Sequence, residues 1–208
     1  MREVLEAIYE QDFLDCSYGF RPGRSAQDAV RTLDRVVHRG KVNWILEADI
    51  VSFFDSLDRK KLKEMLEVRV ADGSLLRLIG KCLHVGVLEG VELSTSETGT
   101  AQGSVLSPLL GNVYLHHVLD RWFEQKVKPR LRGQASLVRY ADDFVVVCKD
   151  RKQAEAALAL VEEVMTELGL SLSPEKTKIA SYGKGYEFLG FRLSSKSRTM
   201  RPKSLEKF

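Results

Sequence analysis

Ser136-Leu137-Val138-Arg139-Tyr140-Ala141-Asp142-Asp143-Phe144-Val145-Val146-Val147-Cys148 is the stretch on which the reading of this chain turns. Two β-rich runs, Ser136 to Tyr140 and Phe144 to Cys148, flank Ala141-Asp142, and branched and aromatic side chains of this kind suit half-buried strands. The pattern predicts a hairpin with two adjacent carboxylates, Asp142 and Asp143, at its turn. Asp is an ordinary turn residue, so by itself the pair simply faces water. Like charges at close range nevertheless repel unless protons or a cation compensate.

Outward from this hairpin, Asn43 to Ile50 reads as a second strand. Trp44, Leu46, Ala48 and Ile50 share one face, while Glu47 and Asp49 share the other, so Asp49 is expected near the strand's end with its carboxylate off the core. In a compact antiparallel sheet the centre of a hairpin can lie beside the end of a neighbouring strand. Asp49, Asp142 and Asp143 would then meet at one edge as a set of hard oxygen ligands suited to Mg2+. Two such ions about 3.5–4 Å apart are a common arrangement for phosphoryl transfer. Spacing alone leaves that meeting open.

The rest of the chain supplies helices. Ser25 with Asp28 has the form of a capping box ahead of the stripe Ala29, Leu33, Val36, Val37. Asp58 is the expected cap of a helix carrying Leu62, Met65 and Leu66. Further helices are expected over residues 74–84, from Ser107-Pro108 towards Gln125, and from Arg151 to about Leu168. Val85 to Thr100 has a hairpin-like order, and short strands are expected near Lys178–Tyr182 and Tyr186–Leu193. Strand, helices, hairpin, helix, strand predicts an α+β fold: a split β-α-β, ferredoxin-like antiparallel sheet with helices on one face.

Composition excludes several alternatives. Among 208 residues, 44% are hydrophobic and 29% charged, which rules out a disordered or collagen-like chain and suffices for a buried core. The apolar runs are far shorter than a bilayer span, so no membrane partner is expected. Three cysteines, Cys16, Cys82 and Cys148, sit in mostly apolar contexts without zinc-site spacing, which fits reduced thiols in a cytoplasmic protein. A net charge of +3 does not by itself indicate nucleic-acid binding. Lys126 to Arg132 contains no acid and is suited to a phosphate backbone, whereas Arg59 to Lys63 is balanced by Glu64 and Glu67.

These residues carry a family resemblance. Tyr140-Ala141-Asp142-Asp143 resembles the signature tetrapeptide of reverse transcriptases. Glu47-Ala48-Asp49-Ile50-Val51-Ser52-Phe53-Phe54-Asp55 is similar to that family's first catalytic motif, and Ala101-Gln102-Gly103-Ser104-Val105-Leu106-Ser107-Pro108-Leu109-Leu110 to the Gln-Gly loop and helix that follow it. Leu168-Gly169-Leu170 through Glu175-Lys176-Thr177-Lys178 and then Phe188-Leu189-Gly190-Phe191 resemble the next two motifs. Cys16-Ser17-Tyr18-Gly19-Phe20-Arg21-Pro22-Gly23-Arg24-Ser25 resembles the segment typical of the bacterial group II intron branch. The matches run in the family's order over nearly the whole chain.

The resemblance implies a right-hand polymerase palm over residues 42–195, a remnant of the fingers over 1–41, and the start of a linker to a thumb over 196–208. It implies an RNA-directed DNA polymerase of group II intron type, with RNA template, DNA or RNA primer and dNTP as partners, and group II intron RNA as a further one. Asp49, Asp142, Asp143 and the Ile50 carbonyl would hold two Mg2+ ions, with Mn2+ able to substitute. Phe54 would exclude a 2′-hydroxyl, Gln102 and Gly103 would lie against the nascent base pair, and Lys176 would give a proton to the departing pyrophosphate. Tyr140 and a Phe188–Phe191 strand would rest against the primer end.

Each assignment has a plainer counterpart. Phe53 and Phe54, adjacent on a strand, would face opposite ways, so one is core; Gln102-Gly103 is also a turn before a helix; Lys176 is also a lysine on a charged segment. His116-His117 read as structural. The upstream fingers strands and the thumb of the family are not matched, so weak activity is expected of the isolated chain. A maturase-type RNA-binding role, or a polymerase-derived role in phage defence or CRISPR acquisition, is the alternative.

Overall fold

The computed structural model describes residues 1–40, 42–83, 87–89, 92–94, 105–131, 134–194 and 198–200. The α-helices in chain order are α1 (Arg2–Tyr9), α2 (Ala26–Arg39), α3 (Phe53–Ser56), α4 (Arg59–Glu67), α5 (Gly73–Leu83), α6 (Ser107–Leu115) and α7 (Arg151–Glu167). The strands are β1 (Trp44–Ala48), β2 (Val87–Glu89), β3 (Glu92–Ser94), β4 (Ser136–Tyr140), β5 (Asp143–Cys148), β6 (Lys178–Ser181), β7 (Tyr186–Phe188), β8 (Phe191–Leu193) and β9 (Arg198–Met200). No described helix is long and apolar enough to cross a membrane.

The central sheet has the order β4-β5-β1-β6 and is antiparallel throughout. Its first strand in sequence lies between the third and the last, as in the expected split β-α-β plan. Local chemistry starts the helices where expected. Ser25 accepts the Asp28 N–H while Asp28 answers the Ser25 N–H, Asp58 accepts the N–H groups of Lys60 and Lys61, and Asp150 accepts that of Gln153.

Helices cover both faces of the sheet, not one. α1, α4, α5, α6 and α7 build one core with Leu46, Ala48, Val146 and Cys148. On the opposite face α2 lays Ala29, Val30, Leu33 and Val37 on Ile45, Val138, Val145 and Val147, joined by Tyr186, Phe188 and Leu193. The reason is visible in β5: Phe144 to Cys148 is apolar at every position, so both of its faces need cover. Residues from Leu5 to Val37 therefore contribute to both cores.

Four further expectations change in detail. The helix from Ser107 continues past Leu115 only by widening, with Arg121 N–H bonded to His116 O and Lys128 N–H to Phe123 O, each spanning five residues. Residues 186–193 form a hairpin instead of one strand, turning at Leu189 (φ 49°) and Gly190 (φ 80°), the two positive φ values of a type I′ turn. β9 pairs with β8, so residues 198–200 are sheet and not linker; residues 201–208 lie outside the described residues. Phe53 and Phe54 sit on the short helix α3, where Phe53 is buried and Phe54 half-buried. In the segment from Val85 to Thr100, β2 and β3 pair antiparallel as expected.

Candidate active site

β1 and β5 run antiparallel from Trp44 opposite Cys148 to Ala48 opposite Phe144. One more step sets Asp49 opposite Asp143. The segment is held there from the other side: Ser173 N–H donates to Asp49 O at 2.8 Å, Val51 N–H donates to Ser171 O at 2.9 Å, and Ile50 bridges Leu172. β4 and β5 close with Tyr140 opposite Asp143, leaving Ala141-Asp142 as a two-residue turn. Ala141 sits at φ 54°, a left-handed position that glycine normally fills and that costs an L-residue about 1–2 kcal/mol. Left-handed alanine at the tip of an acidic hairpin is strain stored where the side chains must point outward.

Asp49, Asp142, Asp143 and Lys176 are thus brought together. Asp49 is buried rather than off the core, because its carboxylate is covered by Lys176, whose Nζ lies 2.7 Å from Oδ2. Lys176 itself remains largely in solvent, on a turn in which its N–H and that of Thr177 donate to Ser173 O. Asp142 is half-buried and Asp143 exposed at its outer side. Loss of water raises the pKa of the Asp142 carboxyl, with the Asp49 charge adding to it. Loss of water, then a hydrogen bond and charge from Asp49, push Asp143 up to about 7. The Asp49 carboxylate in turn holds the Lys176 ammonium above its usual value. Three carboxylates against one ammonium leave the cluster short of positive charge.

Among the described residues no three His, Cys, Asp or Glu side chains stand as a ready-made metal shell. The donor set nevertheless fits a hard divalent cation: crowded carboxylates that hold protons too tightly are the groups such a cation would relieve. Asp143 and Lys176 also line a cleft of about 380 Å³ whose far wall is the β7–β8 hairpin at Phe188, Leu189 and Gly190. Phe188, Leu189 and Gly190, from the strand expected against a primer end, therefore line the same cleft as Asp143.

Ile50 is buried beside Asp49. Phe54 packs on α6 at Gly111, where a methyl group would come within 2.9 Å of its ring. Gln102 and Gly103 lie outside the described residues. Lys128, in the basic run expected to meet phosphate, is paired with Glu124 at 2.7 Å. His116 is buried and neutral, its pKa pushed down to about 4 chiefly by burial, as a structural role requires.

Sequence reasoning missed Arg139. Its side chain is wholly buried beneath the hairpin, in an ion pair with the equally buried Asp120. The signal was present, since an Arg inside an apolar strand and an Asp inside an apolar helix each need a partner. Also missed was the exposed ring of Phe20 (φ 57°), 6.1 Å from that of Tyr140.

The family profile described as reverse transcriptase (RNA-dependent DNA polymerase) matches residues 1–193. The chain belongs to the reverse transcriptase family. Its relatives bear out the group II intron resemblance. The chain is 34% identical to Protein YkfC of Escherichia coli (strain K12), over 94% of this chain and 59% of that protein. It is 30% identical to the group II intron-encoded protein LtrA of Lactococcus lactis subsp. cremoris, over 92% of this chain and 41% of that protein. It therefore spans less than two thirds of the length of these curated relatives. Among solved structures it is similar to telomerase from Candida albicans in complex with a fragment of telomeric RNA, with a TM-score of 0.72 and 15% identity over 96% of this chain and 38% of that one. Apo telomerase from Candida tropicalis, truncated of its C-terminal domain, gives a TM-score of 0.70 at 13% identity over 95% of this chain and 44% of that one. That likeness shows the right-hand polymerase fold. The family uses divalent metals.

Proposed function

We propose that this chain is the catalytic palm of an RNA-directed DNA polymerase of group II intron type, joining dNTPs to a primer 3′-hydroxyl on an RNA template. The single observation that supports it most is the β1–β5 register, which sets Asp49 opposite Asp143 beside the strained Ala141-Asp142 turn. Asp49, Asp142, Asp143 and the Ile50 carbonyl are the groups that would hold two Mg2+ ions. When bound, those ions supply the positive charge that such a phosphoryl transfer develops against.

The chain's own residues then position and discriminate. The hairpin holds Asp142 on its two-residue turn and Asp143 at the first position of β5, so little reorganisation is needed at the moment of reaction. Lys176, kept protonated by Asp49, is the group that would give a proton from Nζ to the departing pyrophosphate once it leaves that pair. Phe54 is the ring that excludes a 2′-hydroxyl, and Gly111 fixes how deeply that ring sits. Tyr140 and the β7–β8 hairpin support the primer end, and Gln102 with Gly103 the nascent base pair. DNA or RNA primers serve this reading, and group II intron RNA is its natural larger partner.

The test is primer extension on an RNA template with Mg2+ and dNTPs, comparing the chain with Asp142→Asn. Extension that disappears in the variant while RNA binding persists is the expected result. Equal extension by both overturns the assignment, and tight RNA binding with no extension by either chain transfers the reading to a maturase-type role.

A further inference from the structure

We infer that Arg139 is a positioning residue for the polymerase site, a clamp that fixes the turn carrying Asp142 and Asp143; the inference rests on the reading above. All five of its guanidinium protons are used. Nε donates to Asp120 Oδ1 at 2.7 Å and Nη2 to Asp120 Oδ2 at 2.6 Å. The second Nη2 proton goes to Ser17 Oγ at 2.8 Å. Nη1 donates to Asn112 Oδ1 and to the carbonyl of Ala141, both at 2.9 Å. That last acceptor belongs to the left-handed residue of the turn itself.

The main chain repeats the pattern. Arg139 N–H donates to Cys16 O at 2.7 Å, and Tyr18 N–H donates to Arg139 O at 2.9 Å. Asn112 Nδ2 passes the contact on to Gly19 O at 2.7 Å, and Gly19 lies so close under the turn that a Cβ there would overlap the Ala141 amide. Four separate pieces of chain, the 17–19 loop, α6, the widened helix at Asp120 and the hairpin, therefore meet on one side chain.

Stability alone does not account for this. A fully buried Arg–Asp pair loses its hydration, and apolar residues of similar size often hold a core as well or better. Apolar residues could not donate to Ala141 O, however, nor tie the turn to the Gly19 loop. The planar five-donor fork is what the site uses, and a lysine does not reproduce it.

The experiment is the double variant Arg139→Met/Asp120→Leu, which removes both charges without leaving either unpaired. It is compared with wild type by thermal melting, primer extension over a Mg2+ titration, and amide hydrogen exchange. A clamp predicts a melting temperature close to wild type with extension lowered about 100-fold. It also predicts a higher half-saturating Mg2+ concentration and exchange about tenfold faster at Ala141 and Asp142 but unchanged in the rest of the sheet. A folded double variant with wild-type extension and wild-type exchange at the turn overturns the inference. Should the double variant not fold, Arg139→Lys, which keeps a cation beside Asp120 and gives up the planar fork that reaches Ala141 O, is read by the same measurements with the same two outcomes. Because exchange at the turn needs no catalysis, a wild-type chain that fails to extend primers would count against the polymerase reading and leave the clamp still decided by exchange.

Discussion

Arg139 and Asp142 are three residues apart, yet the charge clusters around them are built in opposite ways. Around Arg139 every donor has an acceptor, the counter-ion is bidentate, and both charged groups are fully buried. Around Asp142 and Asp143 three carboxylates share one ammonium, which approaches from solvent, and loss of water raises the pKa values of both aspartates. The first cluster is closed, so it acts as scaffold. The second is left short of positive charge, so it is a place where a cation is favoured. Placing the closed cluster directly under the open one lets the fold tolerate mutual repulsion at the tip of a hairpin, since the strands beneath it cannot shift.

The sharpest way to break this contrast is to remove charge from the open cluster. Asp143→Asn is expected to lower primer extension by about 10³-fold or more, because on the proposed reading it removes a ligand to the charge-stabilising ions. Its effect on the fold should run the other way. The Asp143 carboxyl is held at about 7, above its usual range, so its contribution to stability is present at pH below about 4 and is lost as pH rises through 7. Melted in EDTA, wild type should lose stability over that interval and Asp143→Asn should lose less of it. An identical slope in both would mean that the carboxylates do not strain the fold.

Removing charge from the closed cluster should do the reverse. Asp120→Leu alone leaves the Arg139 guanidinium buried without its counter-ion and is expected to cost about 3–5 kcal/mol in denaturant unfolding. A cost under about 1 kcal/mol would show that water already reaches Arg139, and the cluster would no longer count as closed.

Much of this contrast was legible in advance, and the limits have a physical pattern. The hairpin and the capping residues Ser25 and Asp58 follow from period-two alternation and short-range hydrogen bonds, whereas the meeting of Asp49 with Asp143 depends on how β1 pairs with β5, which spacing leaves open. The placement of α2 does not follow either, because an all-apolar β5 states that both faces are covered without saying by what. The widened turns after Leu115 leave no mark in helical periodicity. The β7–β8 turn escaped because Leu189 takes a left-handed position where Asn or Gly is usual. The strand pattern of the sequence runs on past Ile50 to Phe53 and Phe54, whereas the chain turns at Ser52 (φ 44°) into α3. The Arg139 cluster joins residues from Ser17 to Arg139, and no local pattern encodes a partner so far along the chain.

A third kind of buried titratable group sharpens the comparison. His116, on the same widened helix as Asp120, is neutral and edge-on to Phe13, with a ring centroid distance of 5.7 Å. Its pKa falls from 6.5 to about 4 on folding, so its contribution to stability is complete above about 6.5 and is lost as pH falls through 4. The loss should be about 3–4 kcal/mol. His116→Gln should flatten that part of the stability–pH curve, whereas an unchanged acid limb would place the titration elsewhere.

The smallest effect belongs to the seam between scaffold and open site, at Gly111. A Cβ there would stand 2.9 Å from Phe54 Cε1 and 3.1 Å from Phe53 Cε1. Phe53 is buried and cannot yield, so the half-buried Phe54 ring must move. Gly111→Ala is accordingly expected to destabilise the fold by about 1–2 kcal/mol, the helix propensity of alanine offsetting part of the overpacking. The more telling readout is the ratio of dNTP to rNTP incorporation, because on the proposed reading a displaced Phe54 changes the space left for a 2′-hydroxyl. If the ratio moves while the dNTP rate is kept, the depth of Phe54 sets sugar selection. If stability drops and the ratio stays fixed, Phe54 belongs with Phe53 to the core, and the open site ends at the aspartates.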